Sequence, residues 1–551
     1  MDFNDALQEV GDFGVYQKLL CMFLVVPSAS LCALVYFTQF FIILVPEHRC
    51  RLYEEENFHL GLNSSNLTVP FEVREGQVLP MQCEMYISSN YSFNWEANLS
   101  DRTGETMKCQ NGWIYDFSEL YPTVATEMNW VCEHDQLPYQ SQTIFYVGTS
   151  IGCIIFGLIA DRFGRRPSII LSYVIACVAG IGTAFTKSFY TFNFLRFFVG
   201  ATIIPLSEDP YVLSLEYIGV KKRTFVIIIW SMGYIVFSAI CPWIAFALRD
   251  WRLLCIITSA PLAAIPLCGK LIPESASWLL TRGRRKEAIK LLKIVARINK
   301  RDYSEEFADI DCDKNEEANL NTTALDLFRT PRLRRNTLVL AVTWFVVYCC
   351  YHTNTQNASN LGTNVYDSFT YSALVEIPAL FVILFGIDWL GRRWPVVFSS
   401  LLAGVAGIII IIIPQVYDSV DSTKTYLGLA LIQRVTLTIV YNVIMQYSAE
   451  LLPTVLRGRG LAFLRLMGTL GLYLSPSIVY LSLTRPGLPL VVSGVLLFVI
   501  AAITTILPET VHQHLPHSVE EGENFGKDQH ILECPCLNKR NYMGADKESS
   551  T

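Results

Sequence analysis

Apolar residues along this chain fall into long unbroken runs rather than the alternations or narrow stripes of a soluble fold. Runs at 17–45, 143–160, 168–186, 224–248, 252–272, 336–351, 396–414 and 487–507 approach or exceed the roughly 20 residues that carry a helix across a bilayer. Four more segments, 190–217, 366–387, 425–449 and 460–482, are apolar with a few polar interruptions. The pattern predicts an all-α polytopic membrane protein with twelve transmembrane helices, because a spanning segment has to satisfy its own backbone groups. The segment at 17–45 follows a start carrying Asp2, Asp5 and Glu9 rather than a basic region with a cleavage site, so it reads as a retained helix.

Composition agrees: 52% of the 551 residues are hydrophobic and only 17% charged, which argues against a soluble enzyme. Charge then orients the chain. Arg162, Arg165 and Arg166, Lys221 to Arg223, Arg282 to Lys286, Arg392 and Arg393, and Arg457 with Arg459 occupy alternate loops, which predicts that those loops and both termini are cytosolic. The loop at 46–139 is then extracellular. It carries four sequons, at Asn63, Asn66, Asn90 and Asn98, and four cysteines, Cys50, Cys83, Cys109 and Cys132. A glycosylated, disulfide-bonded cap is expected, with three pairings open to four cysteines.

The chain repeats itself. Asp161-x-x-Gly164-Arg165-Arg166 returns as Asp388-x-x-Gly391-Arg392-Arg393, and Glu216 precedes Arg223 by the same interval as Glu450 precedes Arg457. Two six-helix bundles, 1–272 and 335–507, are expected from this repeat, joined by a polar cytosolic linker at 273–334 and followed by a tail at 508–551. Carboxylates and guanidiniums at matched helix ends suit an ion-pair latch between halves that breaks when the cytosolic side opens.

At these residues the chain resembles the major facilitator superfamily. CQNGWIYD (109–116), PESASWLL (273–280), DLFRTPRLRR (326–335), YSALVEIP (371–378), AELLPTVLRGRG (449–460) and LPET (507–510) narrow the resemblance to the organic cation, carnitine and organic anion transporter family (solute carrier family 22-like), nearest its cation branch. The resemblance implies two six-helix bundles rocking around a central site, with the bridges Cys50–Cys109 and Cys83–Cys132. Family members commonly carry six cysteines in the outer loop where this chain has four.

Site residues follow from polar and aromatic positions at mid-helix depth. Glu376 lies in an apolar stretch where a carboxylate costs several kcal/mol, roughly 2.5 or more. Either it faces a wet cavity and a cationic solute, or it pairs with an arginine on another helix. The resemblance favours the first, since anion members carry a lysine where this chain has Leu380. Trp344, Tyr348, Tyr351 and Thr355 form one helical stripe. They are either core packing or, as the resemblance implies for Trp344 and Tyr351, aromatic walls for an ammonium group. Thr469 stands where cation members carry an acid and carnitine or anion members an arginine. Arg465, one turn earlier, either answers a carboxylate of the solute or pairs with Glu376 or an acid of helix 4. Glu208 and Asp209 make helix 4 acidic near its cytosolic end, and two adjacent acids cannot share one face: one is expected to face the cavity with Tyr211 or Val212 while the other pairs or is protonated, as an acidic patch for the solute or a partner for Arg465. Arg434 and Arg196 read as structural.

The expected function is a plasma-membrane carrier of small organic cations, facilitative or driven by membrane potential. A carnitine-like zwitterion carrier, with or without ion coupling, is the alternative, and a non-transporting receptor the alternative of another class. No GxxxxGK[ST], HExxH or nucleophile elbow points to an enzyme or to ATP. No cofactor, metal or nucleic acid is implied. The partners are the solute and the lipid bilayer.

Overall fold

A computed structural model of the chain describes residues 7–529, apart from 8, 12, 52–70, 75–76, 87–105, 220–221, 302–323, 362–363, 413–419, 486, 512, 514–515 and 528. The four sequon asparagines, Cys534 and Cys536 lie outside the described residues.

Among the described residues there are twelve apolar helical passes, as the hydrophobic runs predict. The first six are α1 (Val15–Ile42), α2 (Leu137–Phe163), α3 (Arg165–Thr183), α4 (Phe189–Leu215), α5 (Arg223–Leu248) and α6 (Trp251–Leu267). The second six are α7 (Pro331–Gln356), α8 (Val365–Leu374 and Glu376–Leu390), α9 (Arg393–Ile412), α10 (Val420–Leu451), α11 (Arg457–Leu483) and α12 (Leu488–Thr504). Ten are long and apolar enough to span a bilayer, while α6 and α12 are shorter apolar helices.

Each repeat motif is a tight reversal between two helices. Gly164 and Gly391 end α2 and α8 with φ of 104° and 84°, a left-handed backbone that a side chain would strain. A carboxylate then caps the next helix. Glu274 accepts the amide hydrogens of Arg165 (2.8 Å) and Arg166 (3.3 Å), and Glu509 accepts those of Arg392 (2.8 Å) and Arg393 (3.1 Å). Negative charge at helix N-termini satisfies orphan donors and the macrodipole together. The PESA and LPET stretches, legible in sequence only as family motifs, are therefore the matched capping carboxylates of the two halves.

The α8 helix breaks at Val375. Pro378 has no amide hydrogen for the Leu374 carbonyl and crowds it, so Glu376 starts a fresh helical segment in the middle of the bundle.

Glycines set the closest packing. A Cβ added at Gly152 of α2 would lie 1.9 Å from the Ala201 carbonyl oxygen of α4, and one at Gly471 of α11 would lie 2.2 Å from the Phe345 carbonyl oxygen of α7.

The loop between α1 and α2 contains short antiparallel strand pairs that the hydropathy pattern did not reveal. β1 (His48–Cys50) pairs with β6 (Trp113–Tyr115), β2 (Phe71–Arg74) with β3 (Gln77–Pro80), and β4 (Glu84–Tyr86) with β5 (Thr106–Lys108). Bridges join Cys50 to Cys109 and Cys83 to Cys132, the pairing that the family resemblance implies.

The halves meet at this cap end. There α5 packs on α8 and α2 on α11, the rings of Phe41 and Tyr366 stack at 6.1 Å, and the Tyr480 hydroxyl donates to Asp135 (3.3 Å). At the opposite end the amphipathic linker helix Arg285–Ile298 buries Ala288, Leu292, Val295 and Ala296. Its neighbour Asn299 bonds the chain start through Tyr16 N (2.9 Å) and Val10 O (3.1 Å). The first part of the tail is folded rather than loose: Glu523 accepts the amides of Arg332 and Leu333 at the start of α7.

Replacing Gly152 with valine should force α2 and α4 apart and cost about 1–3 kcal/mol, seen as a lower thermal midpoint and less monodisperse protein on size exclusion.

Candidate functional site

A cavity of about 180 Å³ lies between the two halves, walled by Tyr36, Tyr146, Glu208, Tyr234, Tyr348, Tyr351, His352, Glu376, Leu380, Tyr441, Arg465 and Thr469, among others. Helices from both repeats contribute, and six tyrosines, Trp230 and His352 form its aromatic part.

Both acids of this cavity are already answered by arginines, in two different ways. Glu376 is 7% exposed and Arg434 2%. Their side chains form an ion pair, and the Tyr351 hydroxyl donates a second bond to the Glu376 carboxylate at 3.0 Å. Arg434 is held further by the Tyr351 carbonyl (3.1 Å) and Thr355 Oγ1 (2.5 Å), and its guanidinium carbon lies 4.1 Å from the Tyr351 ring centre. The sequence left open whether Glu376 faces a cation or pairs with an arginine. In this structure it pairs, and the partner is Arg434, which sequence reasoning set aside, rather than Arg465.

The second pair is looser and joins the halves. Arg465 of α11 meets Glu208 of α4, with side chains 34% and 27% exposed. Asp209 turns away from the cavity and accepts a hydrogen bond from Ser168 of α3. Tyr211 packs on Trp230, with ring centres 5.5 Å apart; Trp230 lines the cavity and Tyr211 does not. The expected stripe on α7 also divides. Tyr348 and Tyr351 reach the cavity, whereas Trp344 lies beneath Tyr348 at 5.4 Å and donates to Ser448 Oγ (2.8 Å). Thr469 lines the cavity, fully buried, its hydroxyl bonded to the Leu466 carbonyl at 2.8 Å.

Above the cavity, towards the cap, a septum crosses between the halves. Tyr36 of α1 pairs with His352 Nδ1 of α7, the hydroxyls of Tyr36 and Tyr146 lie 3.3 Å apart, and Gln356 Nε2 donates to Tyr146 (2.7 Å). Sequence reasoning missed Tyr36, Tyr146, Tyr234 and Tyr441, because single tyrosines in apolar helices carry no pattern. The four-residue interval from Trp230 to Tyr234 was the one available signal, and these rings do stack, at 6.3 Å.

The charged helix ends pair within each half. Arg165 meets Asp161 (3.2 Å) and Glu216 (3.7 Å), and Arg392 meets Glu450 at 3.1 Å. In sequence Glu216 precedes Arg223 by seven residues, as Glu450 precedes Arg457. In the structure Arg223 Nε donates to the Ile218 carbonyl (3.4 Å), and Arg457 Nε and Nη2 are buried without a hydrogen-bond partner. The Asp161 carbonyl accepts Trp278 Nε1 (2.9 Å) and Arg282 Nη2 (2.8 Å). The Arg166 and Arg393 amides belong to the caps described above, and the Asp388 side chain lies outside the described residues. In this conformation none of these described ion pairs latches one half to the other.

Removing the Glu376 charge should destabilise the protein by about 3–5 kcal/mol, because Arg434 is left buried and uncompensated. Glu376→Gln is expected to lower the thermal midpoint of purified protein, and Glu376→Gln with Arg434→Gln to recover much of the loss.

Residues 125–517 match the family described as sugar (and other) transporter. The chain is 33% identical to a carcinine transporter of Drosophila melanogaster, over 97% of this chain and 81% of that one. It is 32% identical to a beta-alanine transporter of the same organism, over 95% and 89%, and 32% identical to solute carrier family 22 member 1 of Oryctolagus cuniculus, over 95% of each. The crystal structure of a D-xylose–proton symporter aligns with a TM-score of 0.56 at 13% identity, over 90% of this chain and all of that one; the shared feature is the fold.

Proposed function

The chain belongs to the solute carrier family 22-like organic cation, carnitine and organic anion transporter family of the major facilitator superfamily, and from that premise we propose that it moves small organic ammonium compounds through the cavity between its halves. Transport by alternating access needs a site reached from one side at a time. The septum of Tyr36, Tyr146, His352 and Gln356 separates the cavity from the cap end, which supports an inward-facing state. The disulfide-bonded cap lies outside the plasma membrane and both termini are cytosolic on this reading, supported by the two bridges and by the basic loops. The pairs Arg165–Glu216 and Arg392–Glu450 bind helices within a half, so each half rocks as a body. A latch between the halves is kept for the outward-facing state.

The observation that carries the reading is the contrast between the two acid–arginine pairs. Glu376 and Arg434 are locked by burial and by additional bonds. Glu208 and Arg465 are open to the cavity and exchangeable. A cation that enters takes Arg465's place on Glu208 and lies against Tyr348, Tyr351 and Tyr441, each ring contact with an ammonium contributing about 0.5–2 kcal/mol. A membrane potential worth about 2.3 kcal/mol per charge per 100 mV suffices to drive uptake.

Arg465 also favours a second reading, a zwitterionic solute. Once displaced, its guanidinium is free to take a carboxylate while Glu208 holds the ammonium end. The beta-alanine transporter among the relatives is named for a solute with both groups, which supports this reading.

Uptake of labelled tetraethylammonium and of labelled beta-alanine by cells expressing the protein, with membrane potential varied and surface expression controlled, separates the two. Glu208→Gln should lower cation uptake efficiency about 10- to 150-fold, the equivalent of a charged hydrogen bond of about 1.5–3 kcal/mol. Arg465→Gln should lower the KM for tetraethylammonium while raising that for beta-alanine. Cation uptake indifferent to both depolarisation and Glu208→Gln would overturn the cation reading.

A further inference from the structure

Beyond the septum, on the cap side, lies a second and larger chamber of about 660 Å³. Its walls come from the cap, including the Cys83–Cys132 bridge, and from α1, α2, α7, α8 and α11. Among the described residues three carboxylates line it, Glu84, Glu133 and Asp135, against one lysine, Lys108. Lys108 is engaged with Glu133. His48, also in the wall, has its imidazole pKa lowered by burial, against an opposing contribution from the Pro46 carbonyl, so it adds no positive charge at neutral pH. The described walls of the chamber therefore carry net negative charge beside the indole rings of Trp113 and Trp130.

The floor supplies an independent sign of a ligand. Gln142 of α2 and Gln356 of α7 both line this chamber and not the central one. The Oε1 atoms of both are buried without a hydrogen-bond partner, and Gln356 as a residue is only 3% exposed. A buried amide oxygen left unsatisfied is costly, and two such acceptors sit on one floor, one from each half. Gln356 donates one amide hydrogen to Tyr146 (2.7 Å), and its carbonyl oxygen stays an unpartnered acceptor. Two carbonyl oxygens, an excess of carboxylates and aromatic walls are the chemistry that recognises an ammonium group carrying N–H donors.

We propose that the cap-side chamber is a second binding site, separate from the central cavity, for a small organic ammonium ion whose N–H groups bridge Gln142 and Gln356. Its ligand class rests on the cation reading of the central cavity, but its residues are different. Because the two amide oxygens belong to different halves, a bound ammonium ion ties the halves together at the cap end and holds the septum closed. High concentrations of such a cation on the cap side therefore slow the carrier's return to the state that opens there.

The test is calorimetric titration of the purified full-length protein with 2-phenylethylammonium. Wild type is expected to show two binding events. Glu208→Gln, which disables the central cavity, should keep one of them. Glu84→Gln with Asp135→Asn should weaken the remaining event at least tenfold, and Gln142→Leu should weaken it without touching the disulfide-bonded cap, which guards against a folding defect in the double variant. Retention of the wild-type thermal midpoint qualifies each variant. Loss of all binding in Glu208→Gln, or a remaining event unaffected by either the double variant or Gln142→Leu, would overturn the proposal. If the uptake assays instead reveal no cation transport while Glu208→Gln still binds the probe through Gln142, the cation reading of the central cavity fails and the chamber stands.

Discussion

The structure depends on keeping charge neutral where water is scarce. A carboxylate at mid-helix in a membrane protein requires a counter-charge, a proton or water, and Glu376 has Arg434 together with the Tyr351 hydroxyl. That demand links α7, α8 and α10 through a few atoms, and the proline break of α8 lets Glu376 begin a new helical segment there. The pair is closed to exchange because it is buried and Tyr351 and Thr355 reinforce it. The Arg465–Glu208 pair obeys the same rule with fewer supports, and it is the one that spans the halves. Function then follows from the difference in how firmly two equivalent neutralisations are held.

The same economy of charge appears at the helix ends. Glu274 and Glu509 satisfy the first amides of α3 and α9, while Arg165 and Arg392 reach across to Glu216 and Glu450. These clusters hold each half as a body. Rocking then requires changes only where the halves touch, at the cap-end aromatic contacts, the septum and the Arg465–Glu208 pair.

Much of this was legible in the sequence because hydrophobic length and repeated glycine turns have few structural solutions. Twelve spans, the duplicated motif and the family resemblance follow from local pattern. The pairing of charges does not, because it is set by which helices lie side by side. Glu376 could be recognised as anomalous, but nothing along the chain told Arg434 from Arg465 as its partner. Asp209 and Glu208 are adjacent and differ only in helical phase, and the sequence of α4, with Pro205 and Pro210 inside the helix, does not reveal which one faces the cavity. The cap's strand pairs and the tyrosines of the cavity wall come from isolated positions with no period to detect.

The central claim is that Glu208 carries the exchangeable negative charge of the cavity and that Arg465 is its counter-ion across the halves. Exchanging the two charges, Glu208→Arg together with Arg465→Glu, tests it most directly by uptake of labelled tetraethylammonium. The account predicts that the exchanged protein recovers cation uptake to within about tenfold of wild type, a difference of roughly 1.4 kcal/mol, while each single charge reversal is far poorer. A folded, surface-expressed double variant no better than its single parents would contradict it.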